Sequence, residues 1–273
     1  MASTLEVYLF NADTLRRLDS YRLAETGTEA LDALSGGGEK LIVALSGTVP
    51  PAEPPRSWYA LGERVQRLAD ENPARPVMSA TARFTAGDSR AVVLQLRPLS
   101  GRITLRSVRC DFSGKPYEGA VLRKVRAYLI NVSDEVALPG DGEPVPRSWM
   151  QVGALNSAEL ARMAHPELLA AELPDIGSSA VLPGLSFWAY PNAPQRESLG
   201  HPFTRLVLEG ELEGRRCYYP VNVAVRRDTE LVLDLVITRP GTDDPDTPAD
   251  SDVIRVRASR EGFQDRNERV INY

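Results

Sequence analysis

Residues 203–220 read FTRLVLEGELEGRRCYYP, and this stretch decides the fold class. Leu206 and Leu208 fall on one side of an extended chain, with Arg205, Val207 and Glu209 at the alternating positions. Glu213-Gly214 sits between two β-rich runs. The pattern predicts two strands joined by a short reversal, with Gly214 supplying the positive φ that such a turn requires. Pro220 ends the second run. No side chain in the stretch is a nucleophile with a base beside it.

Outward from this hairpin, short strand patterns recur over most of the chain. Residues 230–238 show strict period two, with Leu231, Leu233, Leu235 and Ile237 on one face. Residues 5–10 (LEVYLF) read as a buried first strand, followed by a turn at Asn11-Ala12-Asp13 and a polar second run through Tyr21-Arg22-Leu23. Further strand-like runs lie at 41–45, 76–84, 91–96, 103–111, 121–132, 187–190, 217–225 and 253–258. Two helices are expected. Ser57 caps one that carries Trp58, Leu61, Val65 and Leu68 and stops at Asn72-Pro73. Asn156 and Glu159 form a capping box for the other, over 156–170, with Leu155 and Leu160 as its hydrophobic staple. With 20 glycines and 21 prolines among so many short strands, the chain reads as all-β with two short helices. Two tandem β-sandwich domains are expected, 1–112 and 113–273.

Composition narrows the function. A chain of 273 residues, 42% hydrophobic and 25% charged, is an ordinary globular balance. The net charge of −5 argues against a nucleic-acid groove, which needs clustered Lys and Arg. No apolar run approaches the roughly 20 residues that span a bilayer. The abrupt start of strand pattern after Met1-Ala2-Ser3-Thr4 suggests that an export signal was removed ahead of it.

Candidate chemistry is sparse. Cys110 and Cys217 are the only cysteines. They are either buried thiols or a pair closing a loop of about 100 residues, worth ~4.7 kcal/mol in the chain-entropy model. His165 and His201 offer little material for a triad or a metal site. Asp243, Asp244, Asp246, Asp250 and Asp252 crowd one loop and could hold Ca²⁺, or simply be solvated. Glu209, Glu211 and Glu213 alternate along one strand, as an acid/base pair in a cleft or as a solvent face. Trp58, Trp149 and Trp188 could form a sugar platform or fill core. Gly36-Gly37-Gly38 precedes a strand and lacks phosphate-loop spacing, so a hairpin loop is expected there. No enzyme, cofactor or metal reading emerges.

Several segments, in order, resemble the fimbrillin-like pilins of Bacteroides-type (type V) pili. They are LEVYLFNADTLRRLDSY at 5–21, KLIVALSG at 40–47, PVMS at 76–79, CDFSGKPYEG at 110–119 and KVRAYLINV at 124–132. Then come YPN at 190–192, PFTRLVLEGELEG at 202–214, YYP at 218–220 and DLVITRPGTDDPDTP at 234–248. Arg227-Asp228 stands where the family usually carries Arg-Asn, and the tail after Ala258 lacks the family's tryptophan.

The resemblance implies two transthyretin-like sandwiches and a structural subunit of a cell-surface fimbrium, closer to accessory or tip subunits than to the stalk. Partners would be other pilin subunits, with host or bacterial surface ligands if the subunit is adhesive. Family members are exported as lipoproteins to the outer membrane. In stalk subunits a protease removes an N-terminal strand, and a neighbour's extended segment fills the groove by strand addition. The candidate donor here is 253–273: Ile254, Val256 and Ala258, then Val270, Ile271 and Tyr273. This tail either completes the C-terminal sandwich or completes a neighbour. The rival readings are a secreted carbohydrate- or protein-binding adhesin outside any filament and, further off, a glycoside hydrolase using Glu209 or Glu211.

Overall fold

The computed structural model describes residues 4–25, 38–87, 92–139, 146–198 and 200–262. Five strands form the first sheet: β1 (Thr4–Asn11), β2 (Leu18–Glu25), β3 (Gly38–Ser46), β4 (Met78–Ala86) and β5 (Arg97–Pro98). Their order is β2-β1-β3-β4-β5, all antiparallel. Because β2 and β3 both pair with β1, the connection at Gly36-Gly37-Gly38 is not a hairpin. Gly36 and Gly37 themselves lie outside the described residues.

LEVYLF is buried on both faces. Leu5, Val7 and Leu9 join Ile42, Ala44, Ala80, Leu94 and Leu96 in one cluster. Tyr8 and Phe10 face the main core with Leu41, Val43 and Leu45. Glu6 shares that second face and is fully buried. Its carboxylate accepts from Arg64 Nη1 at 2.9 Å and from the hydroxyls of Tyr8 and Thr48. A buried charge survives only when paired and hydrogen-bonded in this way.

Eight longer strands build the other two large sheets: β6 (Gly101–Cys110), β7 (Arg123–Ile130), β8 (Ala170–Leu173), β9 (Leu185–Ala189), β10 (Arg205–Leu212), β11 (Arg215–Asn222), β12 (Thr229–Ile237) and β13 (Ile254–Gly262). One sheet runs β8-β7-β10-β11 and the other β9-β6-β12-β13. The hairpin read from 203–220 is β10 and β11, with Glu213 at φ 50° and Gly214 at φ 78° in the two-residue turn. Leu231, Leu233, Leu235 and Ile237 all enter the main core, as their period predicts.

The sheets do not divide at residue 112. β6 pairs with β9 and, in parallel, with β12, so it belongs to the second sandwich. The division falls instead at Leu99-Ser100, which is buried and therefore carries no linker signature. The break at 112–116 is a loop inside the second sandwich. The two parts are also interleaved, since Val65–Arg67 pairs with Glu135–Ala137.

Both expected helices are shorter than their apolar spacing suggests. The first covers only Trp58–Gly62, with Ser57 Oγ accepting from Ala60 N at 3.2 Å. Val65 then enters a strand and Leu68 begins a 3-10 turn, Leu68–Asp70. The second covers Ser157–Leu160. Asn156 caps it, but Glu159 reaches Gln151 N at 2.6 Å rather than closing a capping box. Leu155 and Leu160 pack into different clusters, and residues 166–173 form a 3-10 turn and β8.

The solvent side of β6 and β12 is a charge ladder. Arg106 and Ser107 donate to Asp234, at 2.9 Å from Nε and 2.6 Å from Oγ. Those hydrogen bonds, with the Arg106 and Arg257 charges, bring its carboxyl down to about 2. Burial pushes Glu230 the other way, but hydrogen bonds from Arg102 and Thr104 outweigh it and leave it lowered too. A carboxylate whose folded value lies below its unfolded one stabilises at neutral pH, and that contribution fades as pH falls from about 4 towards 2. Melting curves should therefore show wild type losing its advantage over Asp234→Asn across that window. An advantage that is constant from pH 6 to pH 2 would contradict the assignment.

Candidate functional site

The last described strand, β13, is held differently from all the others. Thr238 fixes its start, donating from N to Val253 O at 2.8 Å and from Oγ1 to Asp252 O at 2.6 Å. β13 then runs antiparallel to β12 in unbroken register, from Ile254 opposite Ile237 to Gly262 opposite Thr229. Alternation places Ile254, Val256 and Ala258 on the core side, across from Ile237, Leu235 and Leu233. The β12 residues are buried, yet on β13 only Ile254 is, at 4% exposure. Val256 is 41% exposed and Ala258 is open to solvent. The core ends at β12.

Among the described residues nothing pairs with the outer edge of β13. Arg255, Arg257, Ser259 and Arg260 are all exposed, with Arg255 reaching Asp111 at 3.0 Å. One ladder of hydrogen bonds, one buried isoleucine and surface charge contacts from Arg255 and Arg257 hold this strand. Segments with so little side-chain burial are the ones that open locally at low cost. Of the six donor candidates, Ile254, Val256 and Ala258 are thus placed on one face of a loosely packed edge strand. Val270, Ile271 and Tyr273 lie outside the described residues.

A second open edge lies in the first sheet. β5 pairs only with Met78 and Ser79, so from Ala80 onward the edge of β4 that faces away from β3 has no ladder partner among the described residues. A cleft of about 780 Å³ runs beside it, lined by Ala80, Thr81, Val93, Leu94, Arg227 and Arg260. β1, by contrast, is flanked by β2 and β3 and is not a detachable edge.

The other sequence candidates resolve into structural contacts. Glu209 is not on a solvent face: it is 6% exposed, and both its oxygens accept from Arg126 Nη2 at 2.9 Å. Gly210 sits at a bulge in the pairing of β10 with β7, and a Cβ there would meet the Leu122 side chain at 2.6 Å. In the acidic loop Asp243 pairs with Arg215 at 2.5 Å and Asp252 with Arg239 at 2.8 Å. Among the described residues no group of three or more His, Cys, Asp or Glu side chains is placed to hold a metal ion. Trp58 packs edge-on against Phe10, Trp149 lies near His201, and Trp188 is buried beneath Arg102. Cys110 and Cys217 are free and buried, and burial pushes the Cys110 thiol up to about 11.

Sequence reading missed a buried charge at the start of β10, on the face turned away from the main core. Arg205 is 2% exposed and lies between Glu197, at 2.7 Å, and Asp246, at 2.5 Å. Asp246 also accepts from Asn131 Nδ2 at 2.8 Å, and Asn131 Oδ1 accepts from Gly153 N. Thr204 donates to Asn131 O and accepts from Asn192, both at 2.9 Å. The signal available was a lone arginine inside an apolar run.

No family model matches the sequence, and no curated protein matches it either. Solved structures do. A fimbrilin of Porphyromonas gingivalis W83 aligns with all of this chain and 92% of its own, at a TM-score of 0.68 and 12% identity. A candidate cell adhesion protein of Bacteroides eggerthii covers 96% of this chain and 89% of its own, with a TM-score of 0.68 and 14% identity. A fimbrial assembly protein of Parabacteroides distasonis covers 100% and 91%, at 0.54 and 10% identity. The fold is the fimbrilin fold.

Within this fimbrilin fold, the segments that carried the sequence resemblance are its internal pins. Tyr190 of YPN donates to buried Glu71 at 2.5 Å, joining the second sandwich to the first layer. Asn192 holds Pro202 O and Thr204. Arg227 spans the same junction, donating to Ser79 O, Arg97 O and Pro98 O. Asp228 adopts φ 54°, a left-handed conformation that Asp and Asn tolerate better than most residues, so it can stand where Asn is usual.

Proposed function

We propose that this chain is a structural subunit of a cell-surface fimbria, joined to neighbouring subunits by strand addition. The fimbrilin fold supports the filament role, and the half-finished terminal strand β13 carries the strand-addition reading. In this reading β13 and the tail leave their own edge and pair with a neighbour, whose open β4 edge is the matching acceptor. Backbone hydrogen bonds give generic affinity there, while Val256 and Ala258 set the register. An accessory or tip position is part of the same reading. Delivery to the outer membrane as a lipid-anchored precursor is part of the same proposal, as is the absence of a catalytic role.

Two variants test it. Deletion of 259–273 is expected to leave a folded monomer that no longer assembles. Val256→Asp with Ala258→Asp is expected to abolish assembly while changing monomer stability by only about 0.5 kcal/mol per site, the usual range for exposed positions. Assembly that persists in both would end the donor reading. A large loss of monomer stability in the double variant would make β13 a fixed part of its own sandwich.

A further inference from the structure

We infer that the first sheet carries an intramolecular covalent cross-link between Lys40 and Asn11, formed with Asp19 as proton carrier. Asn11 and Lys40 are cross-strand partners on β1 and β3. Lys40 Nζ lies 2.7 Å from Asn11 Oδ1 and 3.0 Å from Asp19 Oδ2. The lysine is 3% exposed, although a lysine on a sheet normally extends its head into water. Leu9 and Ile42, the next pair on the same face, are 3% and 1% exposed.

The third member is placed by an irregularity. β2 pairs in register with β1 until Leu9 meets Ser20, and then Phe10 meets Leu18. Asp19 is the extra residue of that bulge. Bulges of this kind re-aim a side chain, and here the aspartate is brought onto the lysine. An amine, a carboxamide and a carboxylate thus converge at the end of a buried sheet face, with the lysine enclosed and the aspartate at its water-facing side.

The chemistry balances without any other reagent. Asp19 takes a proton from the Lys40 ammonium, freeing the Nζ lone pair. Nζ attacks Asn11 Cγ, and the Asp19 carboxylic acid hydrogen-bonds to the developing oxyanion on Oδ1. The second Nζ proton passes to Nδ2, the Cγ–Nδ2 bond breaks, and the leaving ammonia takes the proton that Asp19 first accepted and departs as ammonium. A Cγ–Nζ amide remains and the carboxylate is regenerated. Holding the reacting groups in contact supplies the effective concentration that free amines and amides lack. The product ties β1 to β3 by a bond that neither heat nor denaturant opens, in the sheet that contains the open β4 edge. The inference does not depend on the fimbrial reading.

Intact mass spectrometry of the folded full chain, denatured just before measurement, tests it. Wild type is expected to be lighter than its sequence mass by about 17 Da, one ammonia. A branched peptide joining Asn11 to Lys40 is expected after proteolysis. Lys40→Ala and Asn11→Ala are expected at full sequence mass. Asp19→Asn is also expected at full mass, although it retains both reacting side chains. A wild type at full sequence mass, or one heavier by about 1 Da through hydrolysis of the Asn11 amide, would overturn the cross-link. Ammonia loss that survives in Asp19→Asn would overturn the role given to Asp19.

Discussion

Glu197→Ala combined with Asp246→Ala is expected to destabilise the protein by about 3–5 kcal/mol, more than Arg205→Met does. The asymmetry follows from who is buried. Arg205 is 2% exposed, whereas the side chains of Glu197 and Asp246 are 35% and 39% exposed. Removing the arginine leaves two carboxylates that water can reach. Removing both carboxylates leaves a buried guanidinium with the Phe203 carbonyl, at 3.4 Å, as its remaining acceptor among the described residues. Burial pushes the Glu197 carboxyl up, but hydrogen bonds from Phe203 N and Arg205, with the Arg205 charge, bring it net below its usual value. Its contribution is therefore present at neutral pH and is lost as pH falls through that lowered value. Urea unfolding of the two variants at pH 7, with unchanged m-values, measures the comparison. An Arg205→Met variant as unstable as the double alanine variant would contradict the placement of the charge.

The second large effect is expected at Gly241, in the ITRPG segment. A Cβ there would lie 2.2 Å from Tyr218 O and 2.9 Å from Tyr218 C. Both are backbone atoms of β11 and cannot move aside as a side-chain tip would. The close approach exists because Tyr218 N donates to Thr242 O at 3.0 Å and Thr242 N donates back at 2.9 Å. Alanine must open that bridge, with a cost of about 3 kcal/mol from overpacking and lost hydrogen bonds. Gly214→Ala is the informative comparison. Gly214 has the positive φ that favours glycine, but nothing lies within 4 Å of its Cβ position, so the cost there is about 1 kcal/mol. Equal destabilisation of the two variants would remove the steric reading of Gly241.

Period-two patterns made the strands legible in the sequence, because one buried face leaves an alternating trace. That holds for Leu231 to Ile237, and the turn at Gly214 was legible because few other residues enter it. The helices were overread: Trp58, Leu61, Val65 and Leu68 have helical spacing, but Val65 pairs with Ala137 in a ribbon set by tertiary contacts. The junction between the two parts was misplaced because Leu99 and Ser100 are buried, so no polar linker marks it. Arg205, Glu6 and Lys40 were not singled out in the sequence. Composition cannot show that a charge has its counter-ion built in from residues 41, 58 or 21 positions away along the chain. At the candidate site, the alternation of Ile254, Val256 and Ala258 was visible. Their unequal burial was not, since it depends on where the opposite sheet ends.

Immunogold electron microscopy of the producing cells, with antibody against this protein, tests the fimbrial assignment most directly. Label at the ends of filaments or along them is the expected result, with end label marking an accessory or tip subunit. Label confined to the bare cell surface, with no filament attached, would contradict the filament role and leave a stand-alone surface adhesin.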